Sequence, residues 1–209
     1  MTSAVDTGCG LTGTLRVAFV GAAGGQLMAG SVELFCGRVR GCEAQMADVF
    51  PWLRDGEVDI ALTHHPVDEP GITAGPVLVR EARMLAVPSG HPFARRESVS
   101  LEDLARVRLL RLPENVPDSL QRNCTPRATP SGRPIEHGPA TATFNEMLAL
   151  IGAGQGAFTV GAQVRRYYAR PDVAYVPFSD APPLEWGLLW RAEEPPPVFA
   201  PSTRPPTTW

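Results

Sequence analysis

The sequence predicts an α/β fold built around a parallel sheet, and three observations support this prediction. Of the 209 residues, 44% are apolar and 20% are charged, which is typical of a globular chain that buries a core. Short apolar runs that resemble buried strands alternate with helical patterns along the first third of the chain. Glycine-rich or proline-containing turns separate the two kinds of segment. The formal net charge of −3 gives no electrostatic indication of nucleic-acid binding.

The first third of the chain predicts three strands and two helices. LRVAFV (Leu15 to Val20) predicts a buried strand that ends at a glycine-rich turn. A helix follows, since apolar residues recur there at helical spacing. Glu43 to Val49 predicts a second strand, PWLRD a short helix between Pro51 and Gly56, and VDIALT a third strand. The apolar stripe of the first helix consists of Leu27, Met28, Val32, Phe35 and Val39.

The remainder of the chain predicts further strands and one well-defined helix. PVLVREARMLAVPSGHPF predicts a β-rich stretch that ends in a turn. RLLRL and AFTV each predict a strand, and VAYVPFSD and LEWGLLWR predict a pair of strands that closes the domain. Ser100 with Asp103, and Thr143 with Glu146, have the spacing of helix-capping boxes. The helix after Thr143 is amphipathic, and one face consists of Phe144, Met147, Leu148 and Ile151.

The chain ends and the cysteines indicate a protein that is not exported. Residues 1–13 and 193–209 are predicted to be disordered, the latter because EEPPPVFAPSTRPPTTW is rich in proline. No run approaches 18 apolar residues, and the N-terminus lacks the basic start and apolar stretch of a secretory signal. Four cysteines show neither a CxxC pair nor zinc spacing. We therefore expect a cytoplasmic protein with reduced thiols and no membrane partner.

Five segments together resemble the effector-binding domain of LysR-type transcriptional regulators. No single segment is a chemical signature, but all five occur in the order found in that family. The similarity covers about residues 11–192. The segments are GLTGTLRVAFVG, LRDGEVDIALTHHPVDEPGI, REARMLAVPSGHPFARRESVSLEDLA, LALIGAGQGAFTV and VAYVPFSDAPPLEWGLLWR.

The resemblance implies a periplasmic-binding-protein-like (type 2) fold with two Rossmann-like α/β lobes joined by two crossover strands. Lobe I would contain residues 14–81 and 174–192, and lobe II residues 82–173, with crossings near REARMLAVP and VAYVPFS. A small-molecule effector would bind in the cleft between the lobes, and the domain would form a homodimer. The family places a winged helix-turn-helix before the point that matches Gly10. Contact with DNA is therefore expected only through such a head, which is absent from this sequence.

Two adjacent histidines, His64 and His65, end the third predicted strand. Neighbouring residues of an extended segment point to opposite sides, so one metal ion could hardly bind both. A zinc site also needs further ligands, and none occurs at a fixed spacing. An effector cleft and a solvated or hydrogen-bonded loop remain as interpretations, and no metal is expected. We favour His64 over His65 as a cleft residue, together with Thr63.

The glycine-rich turn before the first helix is a second candidate site. Its backbone N–H groups could bind a carboxylate or another anion, although the glycines could simply permit a tight turn. The resemblance places effector contacts here and, across the cleft, near two loops and a helix start whose exposed amides would suit an anionic effector. The effector-binding residues predicted in these places are Ala22, Ala23, Gly24, Asn115, Thr141, Thr143 and Thr159.

Catalytic signatures are missing from the sequence. It contains no GxSxG, HExxH or Walker-type motif, and its carboxylates are dispersed. We therefore expect a non-enzymatic effector-binding domain without a cofactor, which senses a ligand for transcriptional regulation. The alternative is a solute-binding protein of a transport system on the same fold, which would require export.

Overall fold

Strands and helices alternate along most of the described chain, residues 14–32 and 38–193 of a computed structural model. The strands are β1 (Thr14–Val20), β2 (Arg38–Ala44), β3 (Ile60–His65), β4 (Ile72–Glu81), β5 (Arg83–Pro88), β6 (Arg108–Arg111), β7 (Glu136–Ala140), β8 (Phe158–Gly161), β9 (Val173–Pro177) and β10 (Leu184–Arg191). The α-helices are α1 (Gly21–Val32), α2 (Val49–Arg54), α3 (Asp118–Cys124), α4 (Phe144–Gly152) and α5 (Val164–Tyr167). Two 3-10 helices occupy Pro92–Arg95 and Leu101–Arg106.

The first sheet has the strand order β2-β1-β3-β10-β4. Strands β1, β2 and β3 are parallel, whereas β10 runs antiparallel to both β3 and β4. Strand β3 lies inside the sheet, and its residues Ile60, Ala61 and Leu62 are buried. This explains why VDIALT is almost continuously apolar, because a central parallel strand is covered on both faces.

The second sheet is smaller and has the order β8-β5-β9, and β6 and β7 form a separate two-stranded sheet. The chain enters the second sheet at Ala82, between β4 and β5, and returns to the first through residues 178–183. Strand β9 pairs with β5, so the return lies a few residues beyond the predicted boundary at residue 174. The α/β class and the two crossings agree with the predicted fold class.

A continuous hydrophobic core connects the two main sheets. It includes Ala18, Ala61 and Leu189 of the first sheet and Met84 and Phe158 of the second. Helix α2 contributes three fully buried side chains, and burial of one such large apolar side chain contributes about 1.5–3 kcal/mol to stability. A second cluster packs beneath the outer face of the second sheet. The α2 side chains are Val49, Phe50 and Leu53.

The second strand lies earlier than the sequence predicted. Instead of Glu43 to Val49, β2 covers Arg38–Ala44 and pairs in register with β1. Val39, predicted on the stripe of the first helix, therefore belongs to β2, while Phe35 lies outside the described residues. Glycine at position 41 leaves room for the end of the Met28 side chain of α1, because a Cβ there would lie 2.2 Å from Met28 Cε. An edge strand with three charged residues lacks the apolar run that identifies a buried strand.

Other local predictions are confirmed, with one difference in pairing. Gly56, at φ +70°, follows α2 as expected for a residue just past a helix end. The segments VAYVPFSD and LEWGLLWR both form strands, but β9 and β10 lie in different sheets and do not pair. Most of the predicted disordered ends, residues 1–13 and 194–209, lies outside the described residues. No helix between residues 14 and 32 or 38 and 193 is long and apolar enough to cross a membrane.

Candidate functional site

A cavity of about 110 Å³ lies between the first and second sheets, at the carboxyl ends of β1, β2 and β3. Ligands commonly bind at this edge of an α/β sheet. The wall on the first-sheet side consists of Val20, Gly21, Ala22, residues 43–46, His64, Glu81, Leu184 and Trp186. The opposite wall consists of Leu112, Pro113, Cys124, residues 141–145, Met147, residues 158–161, Val164 and Tyr168.

One hydrogen bond crosses the cavity at the start of α1. The N–H of Ala22 donates to Tyr168 Oη over 3.2 Å. The phenol ring packs edge-on against Phe144, with 4.8 Å between the ring centroids. The two sides of the cavity are thus already in contact, and the first-helix amide at Ala22 has a partner within the protein.

The start of α4 forms the opposite lip of the cavity. Thr143 Oγ1 accepts a hydrogen bond from the Glu146 N–H (3.1 Å), and Glu146 Oε2 accepts one from the Ala142 N–H (2.7 Å). This confirms the capping role predicted for Thr143 and Glu146. Thr141 is buried, and its hydroxyl donates to the Arg111 carbonyl over 3.3 Å.

His64 faces the cavity, whereas His65 lies on the other side of β3. The His64 ring packs edge-on against Trp186, with 4.1 Å between the centroids. Its Nδ1 is buried and has no hydrogen-bond partner among the described residues. Burial, with smaller contributions from the nearby Arg83 and His65, lowers the pKa of His64 to about 3. The imidazole is therefore neutral near pH 7.

His65 packs against β10 and does not line the cavity. Its ring lies where a side chain at Gly187 would otherwise sit, since a Cβ there would be 2.5 Å from His65 Nε2. Burial lowers the pKa of His65 as well. The opposite orientations of the two histidines confirm the strand geometry expected for the pair. In the described part of the chain, no three His, Cys, Asp or Glu side chains are grouped so as to hold a metal ion.

Glu81 is a buried carboxylate in the cavity wall, where β4 leads into the second sheet. Its Oε1 accepts a hydrogen bond from Trp186 Nε1 (2.6 Å), and its Oε2 accepts one from the Gln163 N–H (2.8 Å). Both oxygens are therefore bound, one from each side of the cavity. This role could not be predicted from local sequence, because an isolated acid between two strands belongs to no motif.

Arg83 does not line the cavity, whereas Cys124 belongs to its wall. Neither residue offers a reactive group to a ligand. Arg83 is buried and donates to Asn123 O (2.6 Å), Asn123 Oδ1 (2.9 Å) and Pro182 O (3.2 Å). Burial raises the pKa of the Cys124 thiol to about 11, although Arg83 opposes this shift. The thiol is thus protonated near pH 7, which makes it a poor nucleophile.

The predicted effector-binding residues divide into two groups. Five of the nine line the cavity: Ala22, His64, Thr141, Thr143 and Thr159. In the wall, the Thr159 hydroxyl donates to the Cys124 carbonyl over 2.6 Å. That these five residues contact an effector remains a prediction.

The other predicted residues lie away from the cavity wall. Gly24 packs behind it, where a Cβ would be 3.3 Å from the Trp186 ring. Thr63 points to the side of β3 opposite His64 and contacts Met46 Sδ at 3.6 Å. The exposed Asn115 donates to the Ala47 carbonyl over 2.9 Å. The side chain of Ala23 lies outside what the structure describes.

Comparison with known proteins gives a consistent result. The sequence profile of the LysR substrate binding domain matches residues 9–200. The HTH-type transcriptional regulator IlvR of Caulobacter vibrioides is 27% identical over 197 residues, which cover 91% of this chain and 66% of IlvR. The chain thus spans slightly less than two thirds of the length of that curated relative.

Solved structures show the same fold. A C206 mutant of OxyR from Corynebacterium glutamicum superposes with a TM-score of 0.67 at 24% identity, over 88% of this chain and 59% of OxyR. The effector-binding domain of QuiR in complex with shikimate superposes with a TM-score of 0.68 at 15% identity, over 88% of this chain and 90% of that domain. These likenesses confirm the predicted periplasmic-binding-protein-like fold class.

Proposed function

The chain belongs to the family of LysR substrate-binding domains, and from this premise we propose that its cavity binds a small-molecule effector. The observation that carries the proposal is the position of the cavity, which lies at the strand ends and takes its walls from both sheets. A ligand there contacts both sides at once. It can therefore favour one relative arrangement of the two sheets over another, which is a population shift.

We propose further that residues around each main sheet form one lobe, and that the five cavity-lining residues predicted from the sequence contact the effector. Asn115, Thr63 and Gly24 support the cavity from behind or beside it. The Ala22–Tyr168 hydrogen bond then holds the lobes in a closed arrangement. An effector that pushes the two walls apart must stretch this bond.

In the whole protein, effector binding would act on transcription. The support is the curated relative, whose name describes an HTH-type transcriptional regulator. We propose that a DNA-binding head reads the change in lobe arrangement, that the domain acts as a homodimer, and that this happens in the cytoplasm. Binding without turnover follows from the same reasoning, since the Cys124 thiol is protonated and the Glu81 carboxylate is occupied by two hydrogen bonds. The transport alternative is not favoured, because the matching family and the curated relative both belong to regulators.

A thermal-shift screen with a cavity-blocking variant tests the proposal. The compounds are small carboxylates, amino acids, amides, alcohols and amines, each followed by NMR for chemical conversion. A ligand at a hundredfold excess over its dissociation constant stabilises the native state by about 2.7 kcal/mol. The variant is Ala142→Trp at the cavity lip, and its matched control is Ala149→Trp on the exposed face of the same helix region.

We expect at least one compound to raise the Tm of the native chain and of Ala149→Trp, but not of Ala142→Trp. A ligand whose effect survives Ala142→Trp would place the binding site elsewhere. Conversion of a bound compound would show an enzyme instead of a sensor. No shift with any compound class would contradict a competent cavity.

A further inference from the structure

The charged side chains that line the cavity are both acidic. Glu43 and Glu81 belong to the wall, whereas no lysine or arginine of residues 14–32 and 38–193 does. The carboxylate of Glu81 is fixed in place by its bonds from Trp186 Nε1 and the Gln163 amide. A ligand carboxylate would lie beside this charge without a cation to pair it, and an unpaired buried charge is strongly unfavourable.

Three amides beside the cavity that could bind an anion are already hydrogen-bonded within the protein. The Ala22 N–H donates to Tyr168, and at the start of α4 the Ala142 N–H donates to the Glu146 carboxylate. The Glu146 N–H donates to the Thr143 hydroxyl. At these three positions an anion would have to displace the present partners, one of which is itself a carboxylate.

A ligand cation finds no free acceptor on the fixed carboxylate, because both oxygens of Glu81 already accept hydrogen bonds. Glu43, the other acidic residue of the wall, is exposed, so water screens its charge. The guanidinium of Arg83 is buried, two residues from Glu81 in the chain, and its donors are bound to Asn123 and Pro182. This buried positive charge also lowers the pKa of His64, after the larger effect of burial, and disfavours a second cation nearby.

The remaining wall suits an apolar body with one polar group. The large apolar side chains facing the cavity include Phe144, Met147, Phe158, Leu184 and Trp186. His64 supplies the polar group, since its ring lines the cavity and its buried Nδ1 has no hydrogen-bond partner among the described residues. Its ring packs against Trp186, and a ligand that bonded to Nδ1 would add a hydrogen bond without displacing one. The volume of about 110 Å³ is somewhat smaller than an engineered cavity of about 150 Å³ that binds benzene.

We infer that the effector is an uncharged, mainly apolar molecule about the size of a single ring, which forms a hydrogen bond with His64. The inference rests on the proposed function of the cavity. It differs from the anionic effector that the sequence suggests, and the two are separable by experiment.

Three matched probes test the charge preference: benzamide, benzoate and benzylamine at pH 7.5, titrated calorimetrically into the full chain. They share one ring and differ in charge. We expect benzamide to bind at least tenfold more tightly than either charged probe, which corresponds to about 1.4 kcal/mol. Equal or tighter binding of benzoate would overturn the inference in favour of an anionic effector. Equal or tighter binding of benzylamine would overturn it in favour of a cationic effector.

The proposed function can survive failure of this inference. If none of the three probes binds, the ligand found by the thermal-shift screen decides the matter. A charged ligand whose effect Ala142→Trp abolishes would overturn the uncharged class and leave the effector site standing. An uncharged ligand whose effect Ala142→Trp abolishes would support both the uncharged class and the effector site. The absence of any ligand would overturn both.

The hydrogen bond to His64 has its own test. His64→Phe keeps an aromatic ring against Trp186 but removes both ring nitrogens. We expect this variant to bind benzamide about tenfold more weakly than the native chain does. Binding of toluene, which forms no hydrogen bond, should be unchanged. If benzamide binds the variant as well as it binds the native chain, His64 is not its partner. If toluene binding weakens equally, the variant has altered the shape of the cavity. In that case His64→Gln is expected to restore benzamide binding. Failure of His64→Gln to restore it would overturn the role of His64.

Discussion

The N–H of Ala22 donates a hydrogen bond to the hydroxyl of Tyr168 over 3.2 Å, and this contact joins the start of α1 to the residue that follows α5 across the cavity. The two residues are 146 positions apart in the sequence. Movement of one wall away from the other must break this bond. The pair is therefore a direct reporter of whether the cavity is open or closed.

Tyr168→Phe removes this contact and keeps the ring that packs against Phe144. We expect the free energy of unfolding, measured by urea denaturation, to fall by about 0.5–1.5 kcal/mol, the usual contribution of one hydrogen bond. Tyr167→Phe is the matched control and should change stability by less than about 0.5 kcal/mol. Equal effects of the two substitutions would show that the Ala22 contact contributes nothing.

Glu81→Ala should be more damaging. It removes the acceptor of the buried Trp186 indole N–H and of the partly buried Gln163 N–H. The buried unsatisfied donor costs about 1–3 kcal/mol and the partly buried one about 1 kcal/mol, so we expect a loss of about 2–4 kcal/mol in urea denaturation. The exposed Glu97→Ala serves as the control. A loss no larger than that of the control would mean that the carboxylate is not needed to hold the wall.

His64 predicts a dependence of stability on pH. Its pKa is about 3 in the folded chain and near 6.5 when unfolded, so between these values the unfolded state binds the extra proton. The contribution of the neutral His64 to the free energy of unfolding is therefore present in full above about pH 6.5. It is lost as the pH falls from there toward 3. Between pH 7 and pH 5 the loss is about 2 kcal/mol for one such histidine. His64→Phe should remove that part of the loss, and an unchanged pH profile would contradict the burial of a neutral imidazole.

Gly187→Ala tests the packing that holds His65 away from the cavity. A Cβ at this position would lie 2.5 Å from His65 Nε2 and 2.8 Å from the Pro76 carbonyl oxygen, which belongs to the backbone and cannot move aside easily. We expect a loss of about 1–3 kcal/mol in thermal or urea unfolding, as for other overpacked sites. At Gly90 an added Cβ meets nothing within 4 Å, so Gly90→Ala should be close to neutral. A neutral Gly187→Ala would show that β3 and β10 can separate at little cost.

Local signals made much of the fold predictable. The helix-capping pair Thr143 and Glu146 lies within one turn, and the structure contains both of its hydrogen bonds. The apolar runs of β1 and β3 are equally local, and both strands form. The strand β2 was misplaced because its residues follow the register of β1 and the approach of Met28 to Gly41, which no local pattern records.

The cavity was only partly predictable for the same reason. His64 could be placed in it, because a strand alternates its side chains and a parallel strand presents its carboxyl end to a ligand. Tyr168 and Glu81 could not, since each acquires its role from a partner more than a hundred residues away. Thr63 and Gly24 are adjacent to the site in sequence but face away from it. Their positions follow from the orientation of β3 and from the packing of Gly24 against Trp186.

The most direct test of the account is the NMR signal of the Trp186 indole N–H as a ligand from the screen is titrated in. This indole lines the cavity and donates to Glu81, whereas Trp52 lies outside the cavity and serves as the internal control. Its signal is assigned by its loss in Trp186→Phe. We predict that the Trp186 signal shifts progressively to saturation while the Trp52 signal stays fixed. Saturable binding that moves Trp52 and leaves Trp186 unchanged would contradict an effector site between the two sheets.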